Sequence, residues 1–278
     1  MKRNILTIIL SISFGLLSAN SLSLTDNGDG TVTDSISGLI WQKEDDDNTY
    51  DWSSANSYCN NLTLDSESDW RLPALLELIY IVDYSQYYPS INSLFSGTNN
   101  GSYWSSHVVN EVIAVVNFGN GGAPNNSNNS STGYARCVRG RNKISSSFLD
   151  NGDNTITDSI SGLIWQKNET STMNWETALG YCENLELAGK SDWRLPNIKE
   201  LASLSDNTLT GTYEHINTTY FPDAINDGSG IQTSGYWSST TVANSTTVAY
   251  HVKFGYTFLN GNITKVNSKN ARCVRGGS

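Results

Sequence analysis

Apolar residues recur along this chain in two periods, near 3.6 and 2, and the whole pattern is written twice. After Pro73, Leu75, Leu78, Ile79 and Val82 fall at i, i+3, i+4 and i+7, which predicts a helix with one buried face. After Pro196 the corresponding run is Ile198, Leu201, Ala202 and Leu204. Each proline, with fixed φ and no N–H to satisfy, is predicted at the first helical position. An earlier helix in each half is marked by Trp52, Ala55, Cys59 and Leu62 behind an Asp51 N-cap, and by Trp175, Ala178, Leu179, Cys182 and Leu185 behind Asn174. Period two governs Val248, Tyr250, Val252 and Phe254, which alternate with Ala249, His251 and Lys253. That predicts a strand with one buried and one wet face, matched in the first half by Val112 to Phe118. Leu39 to Lys43 reads as a shorter strand, and the polar stretch from Gly119 to Gly133 as a loop.

The repetition extends to whole words. Ser68-Asp69-Trp70-Arg71-Leu72-Pro73 returns as residues 191–196, an offset of 123. Residues 34–43 return as 158–167, Tyr103-Trp104-Ser105-Ser106 as 236–239, and Ala135 to Gly140 as 271–276. Self-similarity this long predicts two copies of one domain, at residues 22–141 and 148–278, joined by a short polar link. The 278 residues, 37% hydrophobic, suffice for two cores. Trp70 and Trp193 are expected in those cores. Asp69, Arg71, Asp192 and Arg194 read as structural ion pairs or loop hydrogen bonds, with a catalytic or ligand-binding role as the alternative. The copies differ in the segment between Trp-Arg-Leu-Pro and Tyr-Trp-Ser-Ser, which is ten residues longer in copy 2. Such loops are where binding differences concentrate.

Residues 1–19 are different material. Lys2 and Arg3 precede an apolar run from Ile5 to Leu17 and then Ser18-Ala19, the pattern of a secretory signal peptide cleaved after Ala19. A retained membrane anchor is the competing reading. Export places the protein outside the cell, on its surface or in a periplasm. Without the two bases of that segment the chain carries 15 basic and 27 acidic residues, a net charge of −12. No basic surface for nucleic acid or anionic lipid is expected from this balance. The run Glu44-Asp45-Asp46-Asp47 is read as a solvated loop.

Four cysteines fall two per copy at equivalent places, which in an exported chain predicts the disulfides Cys59–Cys137 and Cys182–Cys273. The openings Asp26-Asn27-Gly28-Asp29 and Asp150-Asn151-Gly152-Asp153 read as tight turns feeding short strands. A calcium site at Asp26, Asp29 and Asp34, and at Asp150, Asp153 and Asp158, stays open, although the spacing fails the EF-hand pattern. No other cofactor is expected. His107, His215 and His251 sit apart, at non-equivalent places, and no catalytic motif is present. Carboxylates are plentiful, but no pair stands out as an acid and base. Aromatic residues gather after each Trp-Arg-Leu-Pro helix: Tyr84, Tyr87 and Tyr88, then Tyr213, Tyr220 and Phe221. They are candidate contacts for a neutral sugar or peptide, with packing of the long loop onto the sheet as the alternative.

These motifs together resemble the Lcl C-terminal domain family, named after the end domain of a collagen-like adhesin. The resemblance rests on Asp-Asn-Gly-Asp-Gly-Thr-Val-Thr-Asp (26–34), Gly-Leu-Ile-Trp-Gln-Lys (38–43), Asp-Trp-Arg-Leu-Pro, Tyr-Trp-Ser-Ser and Arg-Cys-Val-Arg, and spans nearly all of the exported chain. The family is similar to C-type-lectin-like folds, including the formylglycine-generating enzymes. The resemblance therefore implies an α+β fold of two tandem C-type-lectin-like domains, each a twisted antiparallel sheet with two helices and long loops. The copper-binding cysteine pair of those enzymes has no counterpart here. The functional expectation is an adhesin-like or lectin-like module that recognises a glycan or peptide at a cell surface. The alternatives are a secreted enzyme using a carboxylate pair and a purely structural surface component.

Overall fold

The computed structural model describes residues 23–109, 112–123, 125–126, 131–141, 146–205, 216–224, 235–254 and 259–276. Residues 1–19, read above as a signal peptide, Tyr213 and His215 lie outside these residues. Copy 1 runs β1 (Leu24–Asp26), β2 (Thr31–Asp34), β3 (Leu39–Gln42), α1 (Trp52–Asn61), α2 (Leu75–Ile81), β4 (Ser102–Val109), β5 (Val112–Asn117), β6 (Asn125–Asn126) and β7 (Val138–Arg139). Copy 2 repeats the order as β8 (Phe148–Asp150), β9 (Thr155–Asp158), β10 (Ile164–Gln166), α3 (Trp175–Glu183), α4 (Ile198–Ala202), β11 (Tyr236–Val242), β12 (Ser245–Lys253), β13 (Leu259–Thr264) and β14 (Val274–Arg275).

The fold is α+β in each of two tandem domains. The strands of each copy divide into two antiparallel sheets, ordered β1-β2-β3-β7 and β4-β5-β6, then β8-β9-β10-β14 and β11-β12-β13. The chain crosses between sheets at Tyr134, whose backbone bonds to Ser102 and Trp104 (2.9 and 3.0 Å) before β7 joins β3. Cys59 is bonded to Cys137, and Cys182 to Cys273, fastening α1 and α3 to these closing segments. Linking residues 78 and 91 positions apart stabilises each copy by roughly 4–5 kcal/mol in the loop-entropy account. Among the described residues no helix is long and apolar enough to cross a membrane.

The first helix of each copy starts at its expected cap, with Asp51 accepting from Ser54 N (2.7 Å) and Asn174 from Thr177 N (2.9 Å). The second helices start later than the prolines imply. Ala74 and Asn197 are the N-caps, so Pro73 and Pro196 precede the helix, and their carbonyls accept from Ser106 N and Ser239 N. The cause is Glu77, whose carboxylate accepts Ala74 N (2.7 Å), and Glu200, which accepts Asn197 N (2.9 Å). The same carboxylates receive Arg71 and Arg194 as two-pronged ion pairs at 2.7–2.8 Å. Asp69 and Asp192 instead hold Arg139 and Arg275 of the closing strands (2.5 and 2.7 Å).

The three-stranded sheets are covered on both faces, which corrects the expectation of a wet face. Tyr250, Val252 and Phe254 face the core under α4, while Ala249 joins a second buried cluster with Trp237, Ala178 and the Cys182–Cys273 bridge. His251, on the Ala249 face, is 8% exposed. In copy 1, Val116 and Phe118 lie on one side, and Ile113 and Val115 on the other with Trp104 and the Cys59–Cys137 bridge.

One hydrophobic cluster runs through both copies, from Leu75, Leu78 and Ile79 of α2 to Ile198, Leu201 and Ala202 of α4. Lys199 donates to the Tyr80 carbonyl across the junction (2.8 Å), and the Tyr250 hydroxyl donates to the Asn120 carbonyl (2.6 Å). Burial pushes the Lys199 ammonium down to about 8, against the opposing pull of Asp83 and Asp34. Above that value the folded chain releases a proton that the unfolded chain keeps until near 10.4, so stability rises with pH in between. Buried tyrosines such as Tyr250, held up at about 12 by burial, reverse the trend above about pH 10. Urea unfolding of the wild type should therefore show stability gained between pH 8 and 9.5, by roughly 1–2 kcal/mol, and Lys199→Met should flatten that slope. An unchanged slope in Lys199→Met would place the titrating group elsewhere.

Candidate functional site

The candidate site is positioned from the closing segment outward. Arg136, fully buried, donates through Nη1 to the Gln42 carbonyl (2.8 Å) and the Lys43 carbonyl, and through Nη2 to Thr98 Oγ1 (2.7 Å) and Asp45 (3.2 Å). Its guanidinium lies over the Phe95 and Tyr103 rings, 5.2 and 5.8 Å from their centroids. Burial pulls its proton affinity below the usual arginine range, and Tyr103 and Asp45 oppose that pull. Asp45 is thus not in a solvated loop: its side chain is 1% exposed and takes the Tyr103 hydroxyl as well. Among the described residues Arg136 Nε and Trp41 Nε1 meet no hydrogen-bond acceptor, and neither do Arg272 Nε and Trp165 Nε1. In copy 1 both side chains pack on Phe95, Trp41 at right angles to its ring (6.4 Å between centroids) and Arg136 over it (5.2 Å).

One residue beyond Arg136, Cys137 N donates to Gln42 Oε1 (3.0 Å), and Gln42 Nε2 donates to the Tyr58 hydroxyl (2.8 Å). Tyr58, on α1, is partly buried against the cluster beneath that helix and stacks on Tyr50, with centroids 5.2 Å apart and planes at 21°. Tyr50 is held by two backbone bonds to Gly133 (2.8 and 2.9 Å) and by its hydroxyl on Asp46. Burial, with Asp46 adding to it, pushes the Tyr50 phenol up to about 12. These two rings, Ser53, Ser54, Ser57 and Asn61 along the helix, and Leu62-Thr63 at its end line an open groove of about 520 Å³. No charged side chain lines it. Accepting from Gln42 leaves the Tyr58 O–H proton for an incoming acceptor.

The ten residues of α1 include three Ser, three Asn and no charge. Ser and Asn are mediocre helix formers, and a solvated helix face ordinarily carries Lys and Glu. Copy 2 follows the ordinary rule. At the positions of Tyr50, Ser53, Ser57 and Thr63 it has Met173, Glu176, Gly180 and Glu186, and Lys265 covers the Trp175 ring at 3.7 Å. Tyr181 keeps its bond from Gln166 (2.9 Å) but has no tyrosine at residue 173 to stack on.

Most aromatic candidates from the sequence are engaged in packing. Phe221 is fully buried beneath Arg272 (4.9 Å), which corrects its placement in a binding surface: no face remains for a ligand. Tyr84 packs edge-on against Tyr250 of the other copy (4.9 Å), at the junction between domains. Tyr220 lies against Phe148 (5.7 Å), half-buried on the core. Tyr87 is partly buried on that core and meets Tyr88 edge-on at 4.3 Å; Tyr88 is 58% exposed.

The calcium candidates serve their own turns. Asp26 accepts from Gly28 N and Lys43, and Asp29 from Thr31. Asp34 accepts from Ile36 N and Ser37. Asp150, Asp153 and Asp158 repeat these bonds. Among the described residues no group of three or more His, Cys, Asp or Glu is placed to hold a metal ion. The Lys43 ammonium is the main cause that holds the Asp26 carboxyl below its usual range, and Lys167 does the same for Asp150.

The model of the Lcl C-terminal domain matches this chain twice, over residues 30–139 and 154–275. No curated protein matches it at a significant level.

Removing Asp45 leaves a buried guanidinium without its counter-charge. Asp45→Ala is expected to destabilise by about 3–5 kcal/mol in urea unfolding, the usual range for breaking a buried pair. Glu169→Ala in copy 2 should cost less, because Asp223 also approaches Arg272 (3.5 Å). Equal losses at the two sites would contradict this assignment.

Proposed function

The chain belongs to the Lcl C-terminal domain family in both of its halves, and from that premise we propose that it is an exported, lectin-like binding module whose copy-1 groove takes a neutral glycan. Two disulfides suit an oxidising compartment outside the cytoplasm. The observation that carries the reading is the groove on α1: two stacked tyrosines and a row of hydroxyl and amide groups, with no charge. Aromatic faces supply apolar contact to a sugar ring, and Ser and Asn side chains supply oriented donors and acceptors. Tyr58 is held from behind by Gln42, so a ligand meets a side chain whose position is already fixed. Binding is favoured over catalysis because the groove presents neither a nucleophile–base pair nor two facing carboxylates.

A glycan array probed with the signal-free chain tests the reading. At least one neutral oligosaccharide should bind, and Tyr58→Ala should weaken it roughly tenfold to a hundredfold, the range for losing a central aromatic contact. The counterpart variant Tyr181→Ala should leave that binding unchanged. Binding insensitive to Tyr58→Ala and Tyr50→Ala would overturn the groove as the site.

A further inference from the structure

The duplicated scaffold serves as its own control, and one coordinated difference between the copies lies away from the groove. Tyr236 pairs with Val252 as Tyr103 pairs with Val116, and Met173 bridges Lys269 as Tyr50 bridges Gly133. By that register, Ser102, Val115, Asn117 and Gly133 of copy 1 become Gly235, His251, Lys253 and Lys269 in copy 2. A neutral patch has been replaced by two lysines and a histidine.

The replacements fit one another. Gly235 has no side chain, and a Cβ there would lie 2.9 Å from Lys253 Cγ and 3.2 Å from His251 Cδ2, so the glycine is what lets the Lys253 stem lie across the sheet. The Gly235 carbonyl accepts Asn270 N (2.9 Å), which brings the residue after Lys269 onto the Gly235 edge of the sheet. On the other flank His251 pairs with Gly261, a second position without a side chain. His251 packs against Trp237 and is 8% exposed; the Gly261 backbone bonds to its ring, and among the described residues its buried Nδ1 has no hydrogen-bond partner. Lys269 is itself 8% exposed, and among the described residues no carboxylate pairs with it or with Lys253. The Lys253 charge acts on Lys269, and two ammonium groups that repel each other, one of them buried, are unfavourable without a counter-ion.

We propose that copy 2 binds a carboxylate group of an acidic ligand at this place, between Lys253 and Lys269 and against the edge of His251. A planar carboxylate has two oxygens to divide between donors on either side, and it removes the mutual repulsion of the lysines. This site is separate from the copy-1 groove and does not depend on it.

The chain has three histidines, so histidine-labelled protein gives three imidazole signals, and His251 can be followed by NMR. Desolvation, aided by Lys269 and Lys253, holds its proton affinity down at about 4. Acetate titrated at constant ionic strength against chloride should shift the His251 signal saturably and raise its titration midpoint. Lys253→Met and Lys269→Met, which keep the apolar stems, should each weaken the effect about tenfold, as expected for loss of a charged hydrogen bond. Glucuronate and N-acetylglutamate then separate an acidic sugar from an acidic peptide as the source, by which of them saturates at lower concentration. An equal shift with chloride, stronger binding of inorganic sulfate than of acetate, or an undiminished response in both methionine variants would overturn the assignment.

Discussion

Each copy is organised around an arginine that no water reaches. Arg136 and Arg272 are fully buried, and a guanidinium in that position holds only if its donors and its charge are answered. The answers come from distant parts of the chain: the end of β3, the following loop and the loop after α2 in copy 1. Satisfying one side chain thus fixes where four segments meet. The disulfide is anchored to the next residue, and Gln42 passes the same constraint on to Tyr58 at the surface. Local charge balance, rather than the net charge of the chain, decides where these loops lie.

Copy 2 solves the same problem with other residues. Arg272 keeps its bonds to the Gln166 and Lys167 carbonyls, but its acids are Glu169, 4.0 Å away, and Asp223 from the longer loop. The loop after α4 therefore contributes to the core through Asp223 and Phe221. Tyr236 takes the part of Tyr103 and Phe221 that of Phe95, which explains why an aromatic in that loop is buried rather than presented to a ligand.

What was legible in the sequence was local or repeated. The caps at Asp51 and Asn174 act over three residues, and the cysteine pairing follows from equivalent placement in two copies. What escaped was set by partners far along the chain. Asp45 sits in a run of acids that reads as solvated, yet its partner lies 91 residues away. Alternation in β12 suggested one wet face because nothing local announces that α3 and the disulfide cover it. Tyr84 looked like a ligand contact because a sequence read one copy at a time does not show where the copies meet. The groove carries a local sequence signal of its own: six Ser and Asn residues in a ten-residue helix with no charge.

The tandem thus presents two unlike surfaces on one framework, held together by a core that both copies share. If that is the design, a neutral glycan selected on an array should touch copy 1 alone. Hydrogen–deuterium exchange of the chain from residue 20 onward, with and without such a glycan, tests this most directly. The account predicts added protection confined to residues 50–63, with residues 173–186 unchanged. Protection over residues 173–186, or at Tyr87 and Tyr88 instead of the groove, would contradict it.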